Sequence, residues 1–319
     1  MEFIILTVIL LLILIIYIVI DNNRVNVVKK DIYIKDLPDE FENYTILQMS
    51  DLHSKDFGKT LYNIVNGLKY DMIAFTGDTI EKKDLNMTSF KNLLNNIKNK
   101  ELIIYVDGNN GPLAYNADTL EITKFGEEIK SLGCIVMNYN YCIQNGNSKI
   151  YLSNFEAVTK VLCYTDEKFE YEDKIRKMIK TSENDVNIGI GHEPVNQVLI
   201  RYLSSKKIKD YNYSAVIVGH YHGGQIKLPL FNPIYIPARS KKASWFPENT
   251  VVRGAYEYKY ATQYISSGLG SSKRIPFLNF RMFVTPQVDL LTLKKKTKIE
   301  ESDETPDIVF KKNIVDINN

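Results

Sequence analysis

The length and composition of the chain set the first limits on its function. Its 319 residues are 45% hydrophobic, which is enough to bury the core of one large domain or two small ones. Its formal charge is only +2, from 40 basic and 38 acidic residues, whereas a dedicated duplex-DNA binder is expected to be more basic. Composition therefore disfavours nucleic acid as a partner.

The first segment of the chain is a continuous apolar run. Residues 3–20, FIILTVILLLILIIYIVI, contain only Thr7 and Tyr17 as polar breaks, and a helix of that length rises ~27 Å, close to the hydrocarbon thickness of a bilayer. A cleaved signal peptide is the alternative, but it would begin with basic residues and end at small ones. This chain begins Met1-Glu2, so the pattern favours a retained single-pass membrane anchor over residues 1–23.

The charges that flank the anchor indicate its orientation. Arg24, Lys29 and Lys30 follow the apolar run, and Glu2 precedes it. Basic residues next to a membrane span tend to stay on the cytoplasmic side. We therefore expect a cell-membrane protein whose main domain, residues 24–293, lies in the cytoplasm.

Beyond the anchor, predicted strands and helices alternate. Short apolar runs closed by Gly, Ser or Asp predict five buried strands, at residues 44–49, 72–76, 102–106, 186–190 and 215–218. Apolar residues at i, i+3, i+4 and i+7 predict three helices between them, with the periodicity starting at Leu61, Phe90 and Val195. This alternation is typical of a layered α/β domain. Residues 294–319 are charged and aperiodic, which predicts a loose tail.

Each of the four histidines lies just after one of the predicted strands. Metal-binding residue types follow all five strands, in the order Asp51 and His53, Asp78, Asn109, His192, and then His220 and His222. Ligands of open α/β sheets collect outside the carboxyl ends of the strands, so these side chains are expected to converge. A single buried histidine is usually a hydrogen-bonded core residue, but that explanation does not account for all four.

The spacing within these groups suits metal binding. Residues two apart on an extended segment point the same way, so Asp51 and His53 can bind one ion, and His220 and His222 have the same spacing. Carboxylate, imidazole and amide ligands without a thiolate suit Mn, Fe or Zn, and also Mg. If two divalent ions bind, one carboxylate must bridge them, and Asp78 is the natural candidate.

The ordered blocks DLH, GD, GNN, GHEP and GHYHGGQ resemble those of the calcineurin-like metallophosphoesterases. The segments HGGQIKLP, QYISSGLGSS and VTPQVDLLTL resemble more narrowly the bacterial membrane-associated YkuE/YaeI-type branch. The resemblance implies a four-layer αββα sandwich with a dimetal centre. It assigns one ion to Asp51, His53, Asp78 and His222, and the other to Asp78, Asn109, His192 and His220.

The stretch YVDGNNGP, residues 105–112, departs from the family pattern. The family usually has Gly-Asn-His followed by Asp or Glu there, and that histidine protonates the leaving group or stabilises charge on the phosphoryl oxygens. Here Asn110 and Gly111 stand in those places. General acid catalysis typically contributes ~10²–10⁴-fold, so Asn110 is expected to keep only a reduced catalytic role. Asp107 and Tyr115 are weakly supported candidates for a replacement acid.

These observations predict a membrane-anchored dimetal phosphoesterase. It would hydrolyse a phosphodiester or diphosphate by attack of a metal-bound hydroxide. A lipid-linked or UDP-sugar-like diphosphate is the best substrate guess, because some relatives that the chain resembles cleave the diphosphate of a UDP-linked diacylated glucosamine. The alternative is a catalytically weakened family member that binds metals as a scaffold or sensor. The sequence predicts neither substrate-binding residues nor an oligomeric state.

Residues 227–247, KLPLFNPIYIPARSKKASWFP, mix apolar and basic side chains and include the single tryptophan, Trp245. Four prolines argue against a helix or a central strand there. Such a segment could rest on a lipid surface or accept an acyl chain. Composition alone slightly favours the alternative, a loop packed over the sheet edge.

Overall fold

A computed structural model describes residues 1–82, 85–116, 121–156, 185–194, 213–237, 244–246, 252–257, 261–273 and 275–296. The chain begins with helix α1 (Glu2–Asn22), whose apolar side chains are exposed along its length. Within the described part of the chain, α1 is the one helix long and apolar enough to cross a membrane, with a mean hydropathy of 3.6 over its central window. A signal sequence can meet the same criteria of length and hydropathy.

The first sheet has six strands, and its strand β1 follows α1 in the chain. Its strands, in spatial order, are β1 (Asn26–Ile34), β15 (Gln287–Lys295), β2 (Thr45–Met49), β3 (Met72–Thr76), β4 (Ile103–Val106) and β5 (Ile135–Val136). Strands β2 to β5 run parallel, so their carboxyl ends meet at one edge, and β15 runs antiparallel to β2. Strand β15 extends through Lys295, so the start of the predicted tail at residue 294 falls inside a strand; residues 297–319 lie outside the described residues.

The second sheet also has six strands. In spatial order they are β13 (Gly254–Glu257), β14 (Thr262–Ile265), β9 (Ala215–Val218), β8 (Asn187–Ile190), β7 (Ser148–Asn154) and β6 (Asn140–Asn145). A small antiparallel sheet follows β9 in the chain and consists of β10 (Ile226–Lys227), β11 (Pro233–Ile236) and β12 (Ser244–Trp245). The five predicted strands therefore exist, with bounds that differ from the prediction by at most one residue.

Three helices cover the outer face of the first sheet. They are α2 (Lys59–Gly67), α3 (Thr88–Asn96) and α4 (Lys124–Ser131). The periodic residues that predicted α2 and α3, such as Leu61 and Phe90, are buried in one apolar cluster with the sheet. The third predicted helix, with Val195, Val198, Leu199 and Tyr202, lies outside the described residues.

The two large sheets pack face to face, and this explains the apolar strands. On β2, Ile46 faces the second sheet and contacts a cluster that includes Ile188 and Ile217, while Leu47 faces the helices. Strands covered on both faces are apolar at nearly every position. The predicted α/β sandwich is confirmed. The described residues form three of its layers, and residues 157–184 and 195–212 lie outside them.

Candidate metal centre

The candidate ligands come from loops that follow strands of both large sheets. Backbone hydrogen bonds join these loops: the N–H of His53 donates to the carbonyl of Asp78 at 2.9 Å, and Gly219 N–H donates to the His192 carbonyl at 3.0 Å. The backbone N–H of His220 donates to Asp51 Oδ2 at 3.0 Å, which ties the second sheet to the first. Six of the seven predicted ligands are buried together at this junction, namely Asp51, His53, Asp78, His192, His220 and His222.

The backbone at the centre is held in an unusual conformation. Of the twelve non-glycine residues with positive φ in the described part of the chain, five are candidate ligands, namely Asp51, His53, Asp78, His220 and His222. The left-handed region costs an L-residue roughly 1–2 kcal/mol, although Asp tolerates it better than most. Such strain persists where the surrounding structure enforces it, and it concentrates at functional sites.

Glycine allows the loops to approach the two carboxylates closely. A Cβ on Gly219 would lie 1.9 Å from Ser50 Oγ and 2.5 Å from Asp51 Oδ2, and a Cβ on Gly108 would lie 2.1 Å from Asp78 Oδ1. Real Cβ atoms are not found at such distances, so no other residue fits at either position without displacing a candidate ligand.

The first group of donor atoms, called the first pole here, contains Asp51, His53 and His222. His222 Nε2 lies 3.5 Å from Asp51 Oδ1 and 3.4 Å from His53 Nε2. His53 Nε2 in turn lies 3.6 Å from Asp78 Oδ2. Four donor atoms thus surround one small volume.

The second pole contains His192 and His220 and shares Asp78 with the first. His192 Nε2 lies 3.3 Å from Asp78 Oδ2 and 3.2 Å from His220 Nδ1. The same Asp78 oxygen therefore stands between an imidazole of each pole. This is the position that the sequence assigns to the bridging carboxylate.

Asn109, the seventh predicted ligand, is exposed, unlike the six buried candidates. The loop after β4 instead turns its next residue inward. The backbone N–H of Asn110 donates to Asp78 Oδ1 at 2.8 Å, and its Nδ2 donates to Glu81 Oε1 at 3.3 Å. The ligand role of Asn109 stays a prediction.

Glu81 is a buried residue of the site that the sequence analysis missed. Its Oε2 lies 3.0 Å from His53 Nδ1, so one carboxylate contacts both a candidate ligand and Asn110. The available signal was its place three residues after Asp78, in GDTIE. A carboxylate on the far nitrogen of a metal-binding histidine sets its tautomer and orientation.

Two further histidines are oriented in the same way by backbone carbonyls. His192 Nδ1 lies 2.9 Å from the Thr76 carbonyl, and His222 Nδ1 lies 3.2 Å from that of Gly270. Because each Nδ1–H has a carbonyl acceptor, each Nε2 is left with its lone pair facing the centre.

The buried carboxylates of the cluster favour positive charge beside them. Burial lowers the pKa of His53 and His192, but the neighbouring carboxylates, including Asp78, outweigh it and raise both. Burial alone would raise the pKa of Asp78, yet the charge of His192 holds it well below its usual range. Burial, His53 and Arg281 push the pKa of His222 well below its ordinary value.

The donor atoms fit divalent metal ions. Asp51 Oδ1 is buried and has no hydrogen-bond partner among the described residues, although it faces the nitrogen of His222. Two groups of three residues could each hold a metal ion, and both include Asp51. They are Asp51, His53 and His222, and Asp51, Asp78 and His192. Imidazole nitrogens and carboxylate oxygens are the ligands that Mn, Fe and Zn use in proteins. The residues present thus suit two divalent ions.

Comparison with known protein families identifies the class to which this site belongs. Residues 44–224, more than half of the chain, match the calcineurin-like phosphoesterase family. The chain belongs to that family, as its motifs indicated, and its site is therefore of the metal-dependent phosphoesterase type. The matched region includes all seven predicted ligands.

Two curated relatives are similar over most of the chain. The uncharacterized metallophosphoesterase YkuE of Bacillus subtilis (strain 168) is 24% identical over 265 residues, which span 81% of this chain and 82% of that protein. The uncharacterized metallophosphoesterase YkoQ of the same organism is 24% identical over 248 residues, which span 76% of this chain and 81% of that one. These similarities agree with the YkuE-type branch that the later motifs indicated.

One solved structure that is similar to this chain is a dimetal phosphatase from Danio rerio. It is 10% identical, has a TM-score of 0.38, and is matched over 72% of this chain and 88% of that one.

Proposed function

We propose that this protein is a membrane-anchored dimetal phosphoesterase that hydrolyses a phosphodiester or a diphosphate. The observation that supports this most directly is the shared oxygen of Asp78, which lies 3.6 Å from His53 Nε2 and 3.3 Å from His192 Nε2. Two groups of donors around one carboxylate oxygen suit a pair of ions better than a single ion.

Each part of the site has a role in this proposal. Bound divalent ions supply Lewis acidity for the phosphoryl oxygens and lower the pKa of water. The first pole and Asp78 would hold one ion, and Asp78, His192 and His220 would hold the other, with Asn109 as the predicted further ligand. Glu81 keeps His53 in the correct tautomer.

The leaving group must depart without a strong proton donor. Asn110 can donate a hydrogen bond but cannot transfer a proton near neutral pH. The two residues considered as replacements are engaged elsewhere: Asp107 Oδ2 accepts from the Ala114 N–H at 2.8 Å, and the Tyr115 hydroxyl donates to the Val136 carbonyl at 3.1 Å. Burial also raises the pKa of Tyr115. A leaving group that is a weak base, such as a phosphate, fits this site best.

The position of α1 supports a substrate at a membrane surface. The side chain of Asn22, at the end of α1, hydrogen-bonds both the backbone N–H and the carbonyl of Arg281 at 2.7 Å. The guanidinium of Arg281 lies 3.3 Å from His222 Nδ1. One residue therefore separates the end of the proposed anchor from the first pole. A lipid-linked or nucleotide-sugar diphosphate meets the needs of both the site and the anchor.

The test is turnover by the full chain, reconstituted in lipid with Mn²⁺. Hydrolysis would be measured on bis-p-nitrophenyl phosphate and on a UDP-sugar diphosphate, beside Asp78→Asn. We expect metal-dependent turnover that is faster on the diphosphate and is abolished in the variant. Equal rates for wild type and Asp78→Asn would refute the proposal.

The second candidate function is a metal-binding scaffold or sensor, which the missing proton donor favours. In the same experiment, this function predicts about two ions per chain without turnover on either substrate. Turnover, measured on material whose metal content has been determined, therefore separates the two functions.

A further inference from the structure

We infer that the small sheet presents an apolar tip that rests on the same lipid surface that α1 enters. The tip consists of Leu228, Leu230, Phe231, Trp245 and Phe246. This inference rests on the proposed anchoring by α1, and it adds a second, separate contact between the domain and the bilayer.

The side chains of the tip are exposed, and exposed apolar side chains are rarely grouped in this way. Leu230 is fully exposed, Phe246 is 75% exposed, and Phe231 is 66% exposed. Single exposed apolar residues are ordinary, but a group of them marks an interaction surface. By contrast, Tyr235 and Ile236 of β11 are buried, so the packed-loop alternative fits the strand and not the tip.

Residues 281–283 neighbour both α1 and the small sheet. Their direction shows on which side of the small sheet the membrane lies. At one end of this segment, Arg281 is bound by Asn22 at the end of α1. At the other end, the ring of Phe283 stacks on Tyr17 with centroids 5.1 Å apart. Tyr17 lies about 7.5 Å back along the helix from Asn22. The segment therefore runs along α1 toward its apolar body.

The small sheet runs in the same direction. Ile226 of β10 pairs with Met282 in a parallel bridge, and Met282 N–H donates to the Gln225 carbonyl at 3.0 Å. Because β10 is parallel to residues 281–283, the turn that follows it, residues 228–231, lies on the side of the apolar body of α1.

The second turn of the tip lies on the same side. Strand β11 is antiparallel to β10, and β12 is antiparallel to β11, so β12 also runs toward the apolar body of α1. Phe246 follows β12, and its N–H donates to the Ile234 carbonyl at 2.8 Å. Trp245 and Phe246 thus lie at the end of the small sheet from which residues 228–231 extend.

The backbone of this region is held in place against a conformational cost. Leu230, Phe246 and Phe283 have φ of 66°, 53° and 56°. A bulky residue at positive φ is an outlier, and such positions cluster where a side chain must be presented in one direction. Two of these three residues belong to the tip, and the third is the one that stacks on α1.

The last turn of α1 is fixed to the domain, so the tip has a defined height above the membrane. Thr285 Oγ1 donates to Asp21 Oδ1 at 2.7 Å, and Lys55 Nζ donates to the carbonyl of Asn22. Asp21 is buried. A bilayer entered by α1 therefore meets the tip without any further partner, and tryptophan and other aromatic residues favour its headgroup level.

Trp245 is the single tryptophan of the chain and serves as the probe. The full chain would be reconstituted in phosphatidylcholine vesicles with or without lipids brominated on the upper acyl chain. We expect bromine to quench its emission at least about twofold, because an interfacial tryptophan lies within reach of that depth. Leu230→Asp with Phe231→Asp should abolish most of the quenching.

The matched control is Trp245→Phe with Tyr33→Trp, which moves the probe. Tyr33 is 37% exposed near the end of β1, and because β1 runs antiparallel to β2, that end lies at the sheet edge opposite the metal centre. The moved tryptophan should not be quenched. Equal emission of Trp245 in the two kinds of vesicle would overturn the inference. That result would also be seen if a second copy of the chain, and not lipid, covered Trp245.

Turnover of bis-p-nitrophenyl phosphate, measured on the same vesicles, separates this inference from the proposed function. Normal turnover of wild type without quenching means that the tip is not on lipid. Quenching without turnover leaves the tip in place and refutes the hydrolase. Release of the chain from the vesicles by alkaline carbonate would refute the anchor and the tip together.

Discussion

The two sides of the candidate site are built in different ways. The metal cluster is buried, and its residues come from both large sheets, which hydrogen bonds such as that between His220 N–H and Asp51 Oδ2 hold together. The corner formed by residues 109–111 comes from a single loop, and Asn109 in it is exposed. The cluster therefore depends on the packing of the whole domain, whereas the corner depends on the identity of two or three residues. Metal binding and proton donation should be separable by mutation.

The largest effect is expected inside the cluster. His222→Ala and His192→Ala each remove one donor from a different pole, so each should lower the metal content toward one ion per chain. Turnover should fall by more than the ~10–100-fold that loss of an outer partner costs. Elemental analysis and turnover of the two variants check this. If both variants keep two ions, the division into two poles is wrong.

The next effect is expected at the corner. Asn110→His should raise turnover of substrates with alkyl leaving groups by about 10²-fold, the usual contribution of a general acid, and change diphosphate turnover little. Glu81 is already placed to orient the new imidazole, since its Oε1 lies 3.3 Å from Asn110 Nδ2. The measurement is the turnover rate on a series of substrates whose leaving groups differ in pKa.

Asn110→Gln is the control for that experiment, because it changes the size of the side chain and adds no acid. An equal gain in both variants, or no gain in the histidine variant, would mean that loss of the proton donor does not explain how the corner differs from the family.

A smaller effect should link the two sides. Glu81→Gln keeps the shape of the side chain but removes the charge that pairs with His53, so the affinity of the first pole for its ion should fall ~10–100-fold. Chelator competition measures this. Glu128→Gln makes the same change at a partly exposed carboxylate paired with Lys91 and should have no effect. Equal loss in both variants would exclude a specific role for Glu81.

The last effect, on stability and not on the chemistry, is expected from Gly111→Ala. A Cβ at this position would lie 2.9 Å from the Ile80 carbonyl oxygen, so the loop must shift, at a cost of about 1–3 kcal/mol in the free energy of unfolding. Urea denaturation checks this. The control is Gly67→Ala, since nothing lies within 4 Å of a Cβ there. Unchanged stability in the first variant would show that the loop accommodates a Cβ at this position.

Local pattern predicted those parts of the fold that depend on burial. Strand β3 was predicted exactly as it stands, at residues 72–76, because a strand covered on both faces has a continuous apolar run. Helix α3 followed from the spacing of Phe90, Leu93 and Leu94, all of which are buried. Pattern did not reveal Glu81, since a single acidic residue in a loop has no periodicity to mark it.

The sequence by itself determined the order of the strands along the chain, the residue types at their carboxyl ends and the apolar helix at the start. These follow from local periodicity and composition, which each segment has on its own. Only the tertiary structure decided that Asn109 is exposed while Asn110 contacts Glu81, and that the tip of the small sheet points along α1. Both depend on contacts between residues far apart in the chain, whose direction is set by loop closure and sheet pairing.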